Sequence, residues 1–337
     1  MKDKIMSGVI GLCVADALGV PVEFTSRKSL MQNPVTDMRG YGTYNQPPGT
    51  WSDDTSMALC LLDSLANGLD YSDIMQKFLL WYEKAEYTPY GNVFDAGIAT
   101  RKALNRFAQG TPALQCGGTS EYDNGNGSIM RILPLVFYLR IHCNEGERND
   151  SFTDIIYNVS SLTHAHIRSL IACNIYLSIA DSLLDAKDLH DGVYEGLGYV
   201  KHYYKQDDDL SFSEEFRYFS RIFSGVGNAS TSDRNEFINL PQEEIKSSGY
   251  VVDTLESALW CLLNTDSYES CVLKAVNLGD DTDTVAAVAG GLAGIYYGIG
   301  AIPDKWVRQI ARIDYIKQLC LNFESSILKL EHEYNKI

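Results

Sequence analysis

The sequence predicts an all-α protein, on three observations. Apolar residues recur at helical spacing in segment after segment. These segments start and stop at recognisable capping and breaking residues. Val/Ile/Thr-rich alternating runs of strand length are scarce. Taken in order, Gly11-Leu12-Cys13-Val14-Ala15-Asp16-Ala17-Leu18-Gly19 is a small-residue helix carrying one acid, with Glu23 following Pro21 at its end. Residues 55–66 (TSMALCLLDSLA) keep helical periodicity until Asn67-Gly68, a good stop signal. Residues 73–84 (DIMQKFLLWYEK) follow, with Ser72 as the cap. Further helices are expected over 95–108, 129–141, 152–162, 167–186, 251–263, 268–277, 284–298 and 304–331. Polar connectors rich in Gly or Pro occupy 33–54, 110–127 and 205–249, the last carrying Gln206-Asp207-Asp208-Asp209. Loops of that length in a compact domain are usually functional or locally disordered. With no repeat period and no shift in composition, residues 1–337 are expected to form one domain.

Composition narrows the function classes. Hydrophobic residues at 45% and charged residues at 21% describe a folded soluble protein, not a disordered one. Lys and Arg number 28 against 44 Asp and Glu, and no basic run relieves the net charge of −16. Nucleic acid and anionic membrane surfaces are therefore not expected as general partners. The cysteines at 13, 60, 116, 143, 173, 261, 271 and 320 form no CxxC pair and sit mostly in apolar stretches. That pattern predicts buried reduced thiols and a cytoplasmic protein. Residues 1–24 mimic an export signal, with Lys2 and Lys4 ahead of an apolar stretch, but Asp16 interrupts it. Residues 284–303 carry no charge and space Gly290, Gly294 and Gly298 as GxxxG. Their Ala/Gly content, and the acids crowding their start, predict a close-packed buried helix rather than a membrane span.

Two acidic clusters stand immediately before helices. One is Trp51-Ser52-Asp53-Asp54-Thr55 and the other Gly279-Asp280-Asp281-Thr282-Asp283-Thr284. Helix capping is one reading, because Ser, Thr and Asp satisfy the first-turn amides and suit the positive end of the helix dipole. Five aspartates exceed what capping needs, and adjacent carboxylates repel. Binding of Mg²⁺, Mn²⁺ or Ca²⁺ through carboxylate and hydroxyl oxygens is the other reading. Residues two apart on a regular helix point about 200° apart, so Asp281 and Asp283 converge only at an irregular helix start, which Gly279 permits. Zinc is not suggested, since HExxH, EF-hand spacing and a His/Cys cluster are all missing from the sequence. His164 and His166 form a weak pair, open to a structural or a hydrogen-bonding role. Asp123-Asn124-Gly125-Asn126-Gly127-Ser128 reads either as an ordinary Asn-Gly turn with a cap or as an anion cradle.

In combination these segments resemble the ADP-ribosylglycohydrolase family. The matching stretches are GLCVADALGVPVEF (11–24), GTWSDDTSMAL (49–59), FDAGIATRKAL (94–104), GNGSIMRILPL (125–135), LTHAH (162–166), GYVVDTLESALW (249–260) and NLGDDTDTVAAVAGGLAGIYYG (277–298). The resemblance implies an all-α domain with a binuclear divalent-metal site, Mg²⁺ or Mn²⁺. It implies Ser52, Asp53, Asp54, Asp281, Asp283 and Thr284 as metal ligands. The family often has Thr where Ser52 stands, which keeps the hydroxyl, and Gly where Asp280 stands. Glu23 corresponds to the family's glutamate near the end of the first helix, and Asp95 to an acid near the substrate. Asn126, Gly127, Ser128 and His164 resemble its ADP-ribose contacts. The implied reaction is hydrolysis of the ribose C1″ bond to an acceptor, foremost an arginine guanidinium, on a protein or a small-molecule conjugate. Serine- or O-linked ADP-ribose, and a non-catalytic ADP-ribose reader, are the alternatives. A monomer is expected.

Overall fold

The computed structural model describes residues 2–142, 150–206, 210–224, 226 and 236–334. Its helices are α1 (Lys2–Gly19), α2 (Arg27–Gln32), α3 (Asp53–Leu65), α4 (Tyr71–Lys84), α5 (Ile98–Ala108), α6 (Pro134–His142), α7 (Asp150–Ser161), α8 (Ile167–Asp185), α9 (Leu189–Gln206) and α10 (Leu210–Phe216). They continue as α11 (Val251–Leu263), α12 (Tyr268–Val276), α13 (Thr282–Tyr297), α14 (Asp304–Val307) and α15 (Ile313–Tyr334). Among the described residues β-structure is limited to two isolated bridges, Gly118 with His164 and Gly125 with Tyr250. The fold is all-α, as the sequence predicts.

The centre of the molecule is the pair α1–α13, and small residues set its geometry. A Cβ on Gly11 would lie 2.5 Å from the carbonyl oxygen of Gly290, and one on Gly294 would lie 2.2 Å from that of Ser7. Rising numbers on α1 meet falling numbers on α13, so the pair is antiparallel and its backbones nearly touch. This brings the last turn of α1 to the first turn of α13, where a Cβ on Gly19 would lie 2.4 Å from the backbone of Asp283. Gly19→Ala is therefore expected to cost about 1–3 kcal/mol by overpacking. A calorimetric melt should show a midpoint several degrees lower, and an unchanged midpoint would contradict so close a contact.

Asp16 then latches α3 to the same place. Its fully buried carboxylate accepts from the Ser52 amide at 3.1 Å, the Thr55 amide at 3.1 Å and the Thr55 hydroxyl at 2.6 Å. Two helix N-termini thus converge on one C-terminus, and the two acidic clusters arrive there with them.

Several expected boundaries shift for identifiable reasons. The helix expected over 95–108 begins at Ile98, because Gly97 is its extended N-cap and residues 92–97 run into it without helical turns. The one expected over 129–141 is a 3₁₀ turn, Ile129–Arg131, followed by α6 starting on Pro134, since proline suits a first helical position but not an interior one. The segment 304–331 divides into α14 and α15, and Arg312 between them takes φ +53°. Helix α9 was not expected, because its glycines dilute the apolar pattern. Gly196 is there to let α9 approach α8, since a Cβ on it would sit 2.6 Å from Ile179. The connector 205–249 contains α10 and short 3₁₀ turns, while Asp207, Asp208 and Asp209 lie outside the described residues. Seven of the cysteines are free and buried, and Cys143 lies outside the described residues.

Two segments, Asp3–Val22 and Ile167–Asp185, have the length and apolarity of a membrane span, yet 94% of each window is buried inside the protein. The Ala/Gly-rich segment after residue 283 is the buried helix α13.

Candidate metal centre and ligand cavity

Each acidic residue reaches the site from an element end. Ser52 caps α3, its hydroxyl accepting from the Asp54 amide at 3.2 Å, and Asp53 and Asp54 begin the helix. Asp281 precedes α13, in whose first turn Asp283 and Thr284 lie. Its irregular approach is visible in the backbone: Gly279 and Asp280 take φ +82° and +60°, and Asp280 exchanges backbone hydrogen bonds with Phe24 and Thr25. The Asp280 side chain is exposed, so its contribution there is its backbone. Glu23 follows α1, and Asp95 comes from the extended segment before α5.

The carboxylates meet in two overlapping triads. Oxygens of Glu23, Asp95 and Asp283 lie within 4.8 Å of one another, and so do oxygens of Asp16, Asp54 and Asp283. Asp283 belongs to both. Thr284 Oγ1 donates to Asp54 Oδ1 at 3.2 Å, which ties the two helix starts directly. Asp16 is a residue that sequence reading noted only as a buried-looking acid. Its use as the latch for α3 was hidden because its partners are backbone amides of a distant loop.

Burial dominates the electrostatics. It pushes the carboxyls of Asp53, Asp54 and Asp283 well above the ordinary range, and neighbouring carboxylates push further. Glu23 rises to about 8, by burial first and then by Asp95 and Asp281. Asp16 rises only to about 6, because hydrogen bonds from Thr55 and Ser52 offset burial. Asp95 and Asp281 are also raised, burial again leading. Asp54 Oδ2 and Glu23 Oε2 are sealed from solvent without a hydrogen-bond partner. Orphaned buried oxygens are costly unless something positive meets them. A hard divalent cation fits this donor set of carboxylates and hydroxyls.

A stability test follows from the signs. Without a cation, the folded state holds these acids protonated to higher pH than the unfolded chain does. The contribution is fully present below the ordinary carboxyl pKa and is lost as pH rises toward about 8, the Glu23 value. Metal-free protein should melt at a lower temperature at pH 8 than at pH 5, and added Mg²⁺ should raise the midpoint most at pH 8. Equal Mg²⁺ effects at both values would contradict a carboxylate cation site.

The cluster forms one wall of a cavity of about 300 Å³, which Glu23, Asp53, Asp95, Asp281 and Thr284 line together with Asn126, Gly127 and His164. Asn126 links the two halves, its Nδ2 donating to Asp281 Oδ2 at 2.8 Å and to Thr254 Oγ1 at 3.0 Å. Gly127 has to be glycine-sized, since a Cβ would lie 2.7 Å from His164 Cε1. Ser128 is brought close but not in. Its hydroxyl is fully buried, receives the Cys173 thiol at 3.4 Å, and stands behind the loop outside the cavity lining. His166 is the cap of α8, accepting from the Arg168 amide, and does not line the cavity.

Sequence reading missed four residues here. Tyr44 stands beside the carboxyls of Glu23 and Asp95, and burial together with those acids drives its phenol far above the ordinary range. Phe24, at φ +63° and 69% exposed, and Tyr122, 97% exposed, present open aromatic faces to the cavity. The hydroxyl of Thr100 is buried there without a partner. Tyr44 and Tyr122 lie in connectors, where no periodicity marks them.

The site is a buried carboxylate pocket, of a chemistry that could hold a hard cation, beside a cavity in an all-helical scaffold. Comparison with known proteins narrows this. The family description ADP-ribosylglycohydrolase matches residues 1–334. ADP-ribosylarginine hydrolase Tri1 of Serratia proteamaculans is 32% identical over 319 residues, covering 94% of this chain and 78% of the relative. ADP-ribosyl-[dinitrogen reductase] glycohydrolase of Rhodospirillum rubrum is 29% identical over 92% of this chain and 91% of the relative. A solved structure titled ADP-ribosylglycohydrolase-related protein complex superposes with a TM-score of 0.75 at 31% identity, covering 97% of this chain and 98% of that one. The chain belongs to the ADP-ribosylglycohydrolase family and is an ADP-ribosylglycohydrolase enzyme.

Proposed function

We propose that the protein hydrolyses the bond between ribose C1″ of ADP-ribose and an arginine guanidinium nitrogen on a modified protein. The observation that carries this reading is the pair of carboxylate triads sharing Asp283, of which Glu23 and Asp95 line the cavity. The arginine linkage is supported by the 32%-identical relative named for ADP-ribosylarginine.

In this reading Ser52, Asp53, Asp54, Asp281, Asp283 and Thr284 hold two divalent cations, Mg²⁺ or Mn²⁺. The ions, when bound, supply Lewis acidity and a template for the ribose hydroxyls. Glu23 takes a proton from the attacking water, and base assistance of this kind contributes about 10²–10⁴-fold. Asp95 orients the guanidine or protonates it as it leaves. Tyr44, beside both acids, sets their separation and the proton each holds. Asn126 keeps Asp281 aimed while Gly127 allows the ligand close to the backbone, with His164 beside it. Ser128 supports this loop from behind. Phe24 and Tyr122 suit the flat base at the other end of the ligand. A cavity of about 300 Å³ takes part of such a ligand and leaves the remainder at the open rim. We also read residues 1–337 as one domain acting as a monomer, and as cytoplasmic, the last supported by the buried free cysteines.

The test is a linkage panel. Peptides carrying ADP-ribose on arginine or on serine are incubated with the Mg²⁺-loaded protein, and free ADP-ribose is measured. Release from the arginine peptide is expected. Release from the serine peptide alone would shift the acceptor, and binding without release would indicate a reader instead.

A further inference from the structure

Arg131 is buried completely and, among the described residues, has no carboxylate within ion-pair distance. Such a charge is expensive to bury. Its guanidinium lies 4.7 Å from the centre of the Phe78 ring, and its Nε has no partner. What it does touch leads toward the cavity. Nη1 donates to the carbonyl of Gly127 at 3.0 Å, and Nη2 donates to Thr163 Oγ1 at 3.0 Å and to the carbonyl of Val159 at 3.3 Å. Thr163 Oγ1 is in turn 2.8 Å from His164 Nδ1.

The direction of this last bond follows from counting protons. The threonine hydroxyl already accepts from the guanidinium, which can only donate. Its own proton needs an acceptor, and His164 Nδ1 is the one described within reach. Nδ1 therefore carries a lone pair and the imidazole proton sits on Nε2. Nε2 has no hydrogen-bond partner among the described residues, and it lies beside Gly125 and Gly127 in the cavity lining. Burial, and then the charge of Arg131, push the His164 pKa down to about 3, so the ring stays neutral.

We propose that Arg131 is a positioning residue: through Thr163 it holds His164 as the neutral tautomer whose Nε2–H faces the cavity as a hydrogen-bond donor, and through the Gly127 carbonyl it pins the glycine loop beside that donor. The use of the donor toward ADP-ribose rests on the function proposed above, while the tautomer does not. The relay places a donor, and a fixed positive charge behind it, in the same cavity lining as the acids. That supplies a chain of net charge −16 with a local means of meeting an anionic ligand group.

The relay is tested by ¹⁵N–¹H correlation spectroscopy of the ligand-free protein labelled at its six histidines, with His164→Gln used for assignment. The wild type should show His164 with a protonated Nε2 and a bare Nδ1. Thr163→Ser, which keeps the hydroxyl, should retain that pattern. Thr163→Val should mix the tautomers and weaken ADP-ribose binding about tenfold by calorimetry, while Ser restores both. Arg131→Met should resemble Thr163→Val, and the threonine variants carry the test if that protein does not fold. A proton on Nδ1 in the wild type, or an unaltered pattern in Thr163→Val, would overturn the relay. The expected wild-type pattern with no ADP-ribose binding would uphold the relay and count instead against the ligand assignment.

Discussion

Asp54→Asn is expected to lower turnover about 100-fold or more and to abolish the Mg²⁺-induced rise in melting temperature. The residue is fully buried, accepts from Thr284 through Oδ1, leaves Oδ2 without a partner, and has an oxygen within 4.8 Å of oxygens of Asp16 and Asp283. The substitution keeps the shape and replaces one acceptor by an NH₂ donor. In the metal-free protein that donor meets a neighbouring carboxylate and relieves repulsion, so the variant should melt no lower than the metal-free wild type. Loss of metal response together with retained stability separates a ligand from a merely structural acid. Calorimetry showing wild-type Mg²⁺ affinity in the variant would remove Asp54 from the metal set.

Glu23→Gln is expected to lower turnover by about 10²–10⁴-fold while leaving ADP-ribose affinity close to the wild-type value. Glu23 is 5% exposed, has a buried orphan oxygen, and lines the cavity. Its backbone is held independently of the carboxyl, since the Thr43 hydroxyl donates to the Glu23 carbonyl at 2.6 Å. The amide therefore takes the same place without the ability to accept a proton. Stopped assays of ADP-ribose release, paired with calorimetric binding, check both halves. A rate equal to the wild type would exclude Glu23 from the proton transfer.

How much of this was readable beforehand depends on how local the cause is. The GxxxG spacing of Gly290 and Gly294 and the small residues of α1 signalled a close helix contact, and the two helices do pack on each other through those residues. The convergence of Ser52–Thr55 with Asp281–Thr284 was not readable from spacing alone, which left capping and cation binding both open. Ser52 does cap α3, and of the acids beyond that need Asp54 and Asp283 enter the buried triads on which the proposed cation site rests. The antiparallel seating of α1 on α13 creates the meeting point, and that is tertiary information. Asp16 shows the same limit, since a buried acid is visible in a sequence but the three bonds it accepts from Ser52 and Thr55 are not. Tyr44 was invisible because loops carry no periodicity to flag a side chain that turns inward. Ser128 shows how position along the chain differs from position in space, being adjacent to cavity residues in sequence yet turned toward Cys173 in the core at a 3₁₀ entry. The helix ends that moved did so at Gly97, Pro134 and Arg312, where capping and a left-handed backbone outweigh apolar periodicity.

The central claim is that acids from α3 and α13 form one cation pocket beside the ligand cavity. Diffraction at the manganese absorption edge, from crystals of the full chain grown with saturating Mn²⁺ and ADP-ribose, tests it most directly. The account predicts anomalous density enclosed by Asp53, Asp54, Asp281 and Asp283, with the ribose next to it. Absence of such density at that position, with the four carboxylates turned away from one another, would contradict the account.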